Sequence, residues 1–248
     1  MEKIKAYKLL ALQEGISNSK AKDLIDKGLV TLEGRKVVIA RTEVSPEITF
    51  KVKKLEKIEV LFENEDILAV SKPAFLDSSE VERVFKDAVL LNRLDKQTSG
   101  VMLLAKNEEF RLKAIEEYRS NRVYKEYLAI VEGKVIDELV IDKPISTSKQ
   151  NNKAYSKIDF KKGKSAKTTV YPMLIEGRKS KIRLVIENGR THQIRVHLKS
   201  ASLPIIGDEL YGKASQTVAR MLLHSHITRI LSYEFVAKEP KDFRVFGF

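Results

Sequence analysis

The chain has 248 residues, 43% of them hydrophobic, no cysteine, and 46 Lys and Arg against 34 Asp and Glu. These totals argue against wholesale disorder and exclude disulfides and thiolate metal sites; with only four histidines a structural zinc is not expected. The net charge of +12 points to a polyanionic partner, nucleic acid first and an anionic membrane surface second, unless the excess serves solubility alone.

The N-terminal stretch MEKIKAYKLLALQEG is basic, but Gln13 and Glu14 interrupt its apolar run, so it does not read as a signal peptide. No segment approaches the length of a membrane span, and a soluble cytoplasmic protein is expected. Residues 1–52 read as a small module of their own. Leu9, Leu10, Leu12 and Ile16 form an apolar cluster; Ser17 or Ser19 can cap a helix carrying Ala21, Leu24 and Ile25, which Gly28 can end. VTLEGRKVVI then gives two short β-type runs around Glu33-Gly34, a hairpin signal. Helix, helix and hairpin in this order resemble the alpha-L RNA-binding module of a small-subunit ribosomal protein and of several RNA-modifying enzymes, although an ordinary helical cap would look similar.

The charged run VKKLEK (52–57) makes a junction, and a second domain is expected over 58–248. IEVLFENEDILAV holds two β runs, and further strand signals follow at 101–105, 127–131, 168–175 and 181–187. Between them, NEEFRLKAIEEYRS reads as an amphipathic helix with Asn107 as cap and Phe110, Ala114 and Tyr118 along one face. Many strands and few helices predict an α+β domain on a mixed, largely antiparallel sheet with flanking helices. KKGKSAK (161–167) reads as a solvated loop that could touch phosphates.

The most informative segment is LNRLDKQTSGVMLLAKN (91–107), an acidic residue between basic ones, then a Thr-Ser-Gly turn feeding an apolar strand. Taken alone, Arg93, Asp95 and Lys96 would be a surface charge cluster worth little energy. The whole string, however, closely resembles HRLDKxTSGLLLLAK, the motif of pseudouridine synthases of the large-subunit ribosomal RNA branch. SKPA (71–74), KEYLAIVEG (125–133), GRTHQIRVHL (189–198) with PIIGDELYG (204–212), and LLHSHITRILSYEF (222–235) resemble the family's other motifs in the expected order.

That resemblance implies an isomerase that flips a uridine out of RNA, detaches uracil at N1 and rejoins it through C5. Asp95 matches the catalytic aspartate and would act as nucleophile, in its ionised form, which a neighbouring guanidinium favours. Arg195 matches that guanidinium, and Tyr127 matches a tyrosine set beneath the uracil. Arg93, Arg190 and His192 are the candidate substrate contacts; His192 and His197 each also read as structural, and neither is expected to be an acid-base catalyst. No cofactor or metal is implied. RNA is the expected partner, ribosomal rather than transfer RNA, acting on a monomer; a catalytically silent RNA-binding factor is the competing reading. The sequence departs from the family pattern at Asn92 (usually His), at Asn188 (commonly Thr, a cap-like change), and in the short spacing of eighteen residues between Ala74 and Arg93.

Overall fold

The computed structural model of the protein describes residues 3–37, 39–150, 153–215 and 217–248. The chain divides into two compact units, residues 1–57 and 58–248. In the first unit, β1 (Ile4–Lys5) leads into α1 (Ala6–Glu14) and α2 (Asn18–Asp26), followed by β2 (Val30–Leu32), β3 (Arg35–Lys36), β4 (Glu43–Val44) and β5 (Lys51–Val52). The Ser17 hydroxyl accepts from the Lys20 amide at 3.2 Å, so Ser17 rather than Ser19 starts α2. Glu33 and Gly34 both have positive φ, 49° and 79°, the geometry a two-residue hairpin turn requires. Leu9, Leu10, Ala21, Ile25, Val30 and Phe50 pack into one small core. Leu12 stands outside it, 75% exposed, because the helical step carries it off the face that Ala6 and Leu10 share.

The second unit contains β6 (Glu59–Glu63), β7 (Ile67–Lys72), α3 (Ser78–Val84), β8 (Val89–Leu90), β9 (Ser99–Ala105), α4 (Glu108–Arg119) and β10 (Tyr124–Glu132). It continues with β11 (Leu139–Asp142), β12 (Ile145–Gln150), β13 (Lys153–Ile158), β14 (Lys167–Glu176), β15 (Lys179–Ile186), α5 (Gln193–Ser200), β16 (Leu223–Ile230) and β17 (Tyr233–Val236). The main sheet runs β11-β14-β15-β10-β16-β9-β7-β6, with β17 on β16 and β8 on β9, while β12 and β13 form a separate hairpin. Among the described residues every pairing in this sheet is antiparallel except β16 with β9. The expected α+β architecture on a mixed, largely antiparallel sheet is therefore the one observed.

Alternation along the central strands explains how the sheet is covered on both faces. Met102 and Leu104 of β9 point into one apolar cluster with Ile194 and Leu198 of α5 and Val81 of α3. Val101, Leu103 and Ala105 of the same strand point into another with Phe110 and Ala114 of α4 and Phe235 of β17. A strand buried on both faces reads as a continuous apolar run, which VMLLA does. Asn107 caps α4 as expected, its side chain accepting from Phe110 N at 2.8 Å.

Two connections place the functional loops. β9 runs parallel to β16 at Ser99–Gly100 opposite His224–Ser225, where Gly100 has φ 113° and a Cβ would sit 2.0 Å from the Ser225 carbonyl oxygen. Only glycine fits there. Asn188 is not a cap: its side chain accepts from Lys167 N at 3.2 Å and donates to Asn121 at 3.1 Å, and α5 starts later, after His192. No helix among the described residues is long and apolar enough to cross a membrane.

Candidate active site

Asp95 lies in the turn that enters β9, a turn closed by Thr98 N donating to the Asp95 carbonyl at 3.0 Å. Its carboxylate accepts from Arg195 Nη1 at 2.7 Å. The same guanidinium grips Asp208 through Nε and Nη2, both at 2.8 Å, a bidentate pair that fixes the plane of the fork. Burial disfavours the charge on Arg195, but Asp208 and Asp95 outweigh it and hold the group protonated. Asp208 is buried, which alone would raise its pKa; the bonds from Arg195 and from the Leu210 and Tyr211 amides pull it below the usual carboxylate range.

His192 caps α5 in the left-handed region, φ 55°, a conformation uncommon for a residue with a side chain and typical of functional turns. Its Nε2 stands 3.8 Å from Asp95, and its Nδ1 meets the Tyr211 hydroxyl at 2.9 Å. The same hydroxyl accepts from Ser156 N at 2.8 Å, so Tyr211 is tied to both residues and holds the His192 ring in place. Burial lowers the His192 pKa, the Asp95 charge opposing and the Arg195 charge adding, so the imidazole is neutral near pH 7.

Tyr127 enters the same space from β10. The register of β10 against β16 shifts between Glu126 and Tyr127, a bulge of the kind that re-aims a side chain out of the regular alternation. Burial pushes its hydroxyl up to about 12, against a contact with the Ser225 hydroxyl that works the other way. Asp95, Tyr127 and Arg195 line one cleft of about 450 Å³, including its open mouth, with Leu94, Ile186 and Leu223 on its apolar wall. Arg93, Arg190 and His192 line it as well, so the structure brings all six sequence-derived residues together. Arg93 is exposed, and Arg190 is tethered by Nε to the Ser165 carbonyl at 3.0 Å.

Three supporting residues were quoted within motifs without being assigned a role. Asp208 follows Gly207, whose φ is 81° and where a Cβ would stand 2.2 Å from the Arg220 carbonyl oxygen. Tyr211, four residues after Gly207, orients His192. Lys72, of SKPA, is completely buried and donates to the carbonyls of Pro73 (3.0 Å), Leu76 (2.8 Å) and Lys96 (3.4 Å), tying the end of β7 to the Asp95 turn. Burial drops its pKa to about 7, with the Asp77 and Asp95 charges opposing. A Lys next to a Pro after an apolar strand was the available signal.

His197 is structural: Nδ1 meets the Thr168 hydroxyl and Nε2 the Lys143 carbonyl, each at 2.9 Å. Asn92 has a backbone duty, its Oδ1 accepting from Leu103 N at 2.8 Å.

A cleft with an apolar and aromatic wall, a fixed carboxylate and a basic rim suits a flat, uncharged base attached to phosphates. The comparisons agree. The family model for RNA pseudouridylate synthase matches residues 66–200. An uncharacterized RNA pseudouridine synthase of Helicobacter pylori strain J99 is 50% identical over 242 residues, covering 97% of this chain and 99% of that protein. Ribosomal large subunit pseudouridine synthase D of Borreliella burgdorferi is 34% identical over 165 residues, covering 63% of this chain and 50% of that protein. Among solved structures, human RNA Pseudouridylate Synthase Domain Containing 1 superposes with a TM-score of 0.65 at 26% identity, over 75% of this chain and 84% of that one. The chain belongs to the RNA pseudouridine synthases, enzymes that isomerise uridine to pseudouridine within RNA.

Proposed function

We propose that the protein modifies a uridine of 23S ribosomal RNA in the cytoplasm, as a monomer, with Asp95 as the nucleophile on a flipped-out nucleotide. The single observation that carries this reading is the ionic chain Asp95–Arg195–Asp208, which presents one carboxylate to a cleft with an apolar wall and a basic rim. The C1′–N1 bond breaks, the freed uracil turns over the Tyr127 ring, C5 bonds to C1′, and the C5 hydrogen leaves as a proton while N1 takes one up. Asp95 attacks either the sugar or the base and is regenerated at the end, so the isomerisation needs no co-reactant.

With a hydroxyl at about 12, Tyr127 stays neutral at physiological pH; it acts as a stacking surface and a hydrogen-bonding relay rather than as a standing phenolate. Tyr127→Phe is expected to lower turnover roughly 100-fold while RNA affinity holds, since stacking survives and the relay does not. Rapid-quench assays against equilibrium binding separate the two; turnover at the wild-type rate would end the relay role. Arg93, Arg190 and His192 would contact the flipped nucleotide and its phosphates. The first unit, through its likeness to an alpha-L module, would bind ribosomal RNA, and the Borreliella relative, a ribosomal large subunit pseudouridine synthase by name, points to the same substrate.

The deciding assay is tritium release from RNA labelled at uridine C5. Release from ribosomal RNA supports the proposal, and release from transfer RNA alone would reassign the substrate. Tight binding with no release would favour the silent RNA-binding factor.

A further inference from the structure

Residues 143–167 carry eight lysines against one aspartate, a net +7 out of the chain's +12. The segment holds the β12–β13 hairpin and the turn that follows it. That turn is firmly built. Asp159 Oδ1 accepts from the Lys161 and Lys162 amides, both at 3.0 Å, and its carbonyl accepts from Gly163 N at 2.8 Å. A Cβ at Gly163 would lie 2.3 Å from the Asp159 oxygen, and Lys164 exchanges two backbone hydrogen bonds with Ile145, both at 2.9 Å. On this fixed turn Phe160 is 76% exposed, and Lys157, Lys161, Lys162 and Lys164 around it are exposed as well.

A single exposed apolar side chain ordinarily requires no explanation. Here the ring stands on a hydrogen-bonded turn in a strongly basic stretch of the chain, where solubility would be served better by any polar residue. The turn is also joined to the rim of the cleft: Arg190 Nε donates to the Ser165 carbonyl and Gln193 Nε2 to the Lys167 carbonyl, both at 3.0 Å. Upstream, Ser156 N donates to Tyr211, the residue that orients His192.

We propose that Phe160 is a stacking platform for an unpaired base of the RNA beside the target uridine, with Lys157, Lys161 and Lys162 on the adjoining phosphates. Alternating aromatic and cationic groups match the alternation of base faces and phosphates along a single strand. An acidic peptide would satisfy the lysines but leave the ring unused. The inference rests on RNA being the substrate, and the wild-type enzyme supplies the control for that premise.

The test compares wild type, Phe160→Ala and Phe160→Tyr. Affinity is read for a labelled single-stranded RNA of about fifteen nucleotides and, as a short control, for a uridine trinucleotide, and turnover is read by tritium release from ribosomal RNA. Phe160→Ala is expected to weaken binding of the longer RNA about tenfold, with trinucleotide binding, kcat and Tm unchanged; Phe160→Tyr restores the affinity. Lys161→Gln/Lys162→Gln is expected to reduce the salt-dependence slope by about 1.4. Unchanged affinity of Phe160→Ala for the longer RNA would overturn the proposal, and so would an equal loss on both RNAs. A wild-type chain that shows no salt-dependent RNA binding would instead strike the premise.

Discussion

Asp95→Asn is expected to reduce tritium release by about 10⁴-fold or more while RNA affinity stays within about threefold of wild type. The change is nearly isosteric, and the amide oxygen can still accept from Arg195 Nη1, now 2.7 Å from the carboxylate. The shape of the cleft and the basic rim are therefore retained, along with most of the binding energy. What is lost is the anion proposed as the nucleophile. Folding is expected to be preserved because Arg195 keeps its bidentate hold on Asp208. Denaturation curves of the two proteins should nearly coincide, which separates chemistry from unfolding. Turnover above about 1% of wild type would remove Asp95 from the nucleophile's role.

Asp208→Ala is expected to cost about 3–5 kcal/mol of stability and, in whatever fraction folds, about 100-fold in turnover. The Asp208 side chain is 1% exposed and that of Arg195 12%, so truncation strands a guanidinium in a nearly dry site. Asp95 would then be its remaining carboxylate partner in the cleft, and the guanidinium would swing toward it and out of the plane that Asp208 sets. The pH dependence has a definite sign. The Asp208 pKa is depressed in the folded state, so its contribution is complete above the unfolded carboxylate value near 3.9 and is lost as pH falls through the lower folded value. The acid limb of wild-type stability should thus be steeper than that of Asp208→Ala, measured by denaturant titration between about pH 2 and 5. Parallel acid limbs would mean that Asp208 is not carrying that load.

The strands were legible in the sequence where apolar alternation is strong, as in VMLLA and KIRLVIE, and α4 was legible because Asn107, its acidic first turn and its apolar stripe agree. The hairpin β12–β13 was not, since ISTSKQ and KAYSKI are largely polar and earn their pairing from Ile145, Tyr155 and Ile158 packing beside Tyr211. Helix α3 was missed because it is short and its capping box, Asp77 with Glu80, sits within a stretch of mixed polarity. The six cleft residues were legible only through family resemblance, since composition alone would have left Asp95 in a surface charge cluster. Asp208, Tyr211 and Lys72 escaped notice because their importance lies in whom they touch, and contacts across 13, 19 and 24 residues leave no periodic trace.

The Asp95 turn is held by partners distant in sequence: Arg195 is 100 residues away, and Arg220, which donates to the Gln97 carbonyl at 3.1 Å, is 123 residues from it. Arg220 is in turn clasped by Asp242, at 2.6 and 2.8 Å. Contacts that close such long loops are expected to form after local hairpins such as β6–β7 and β14–β15, because loop closure costs more entropy. A chain that has collapsed around its sheet but has not yet brought residues 195, 220 and 242 to this turn lacks the contacts that hold the proposed nucleophile. On the proposed mechanism, catalytic competence would report completed folding, and refolding followed by tritium release should lag behind refolding followed by backbone signal.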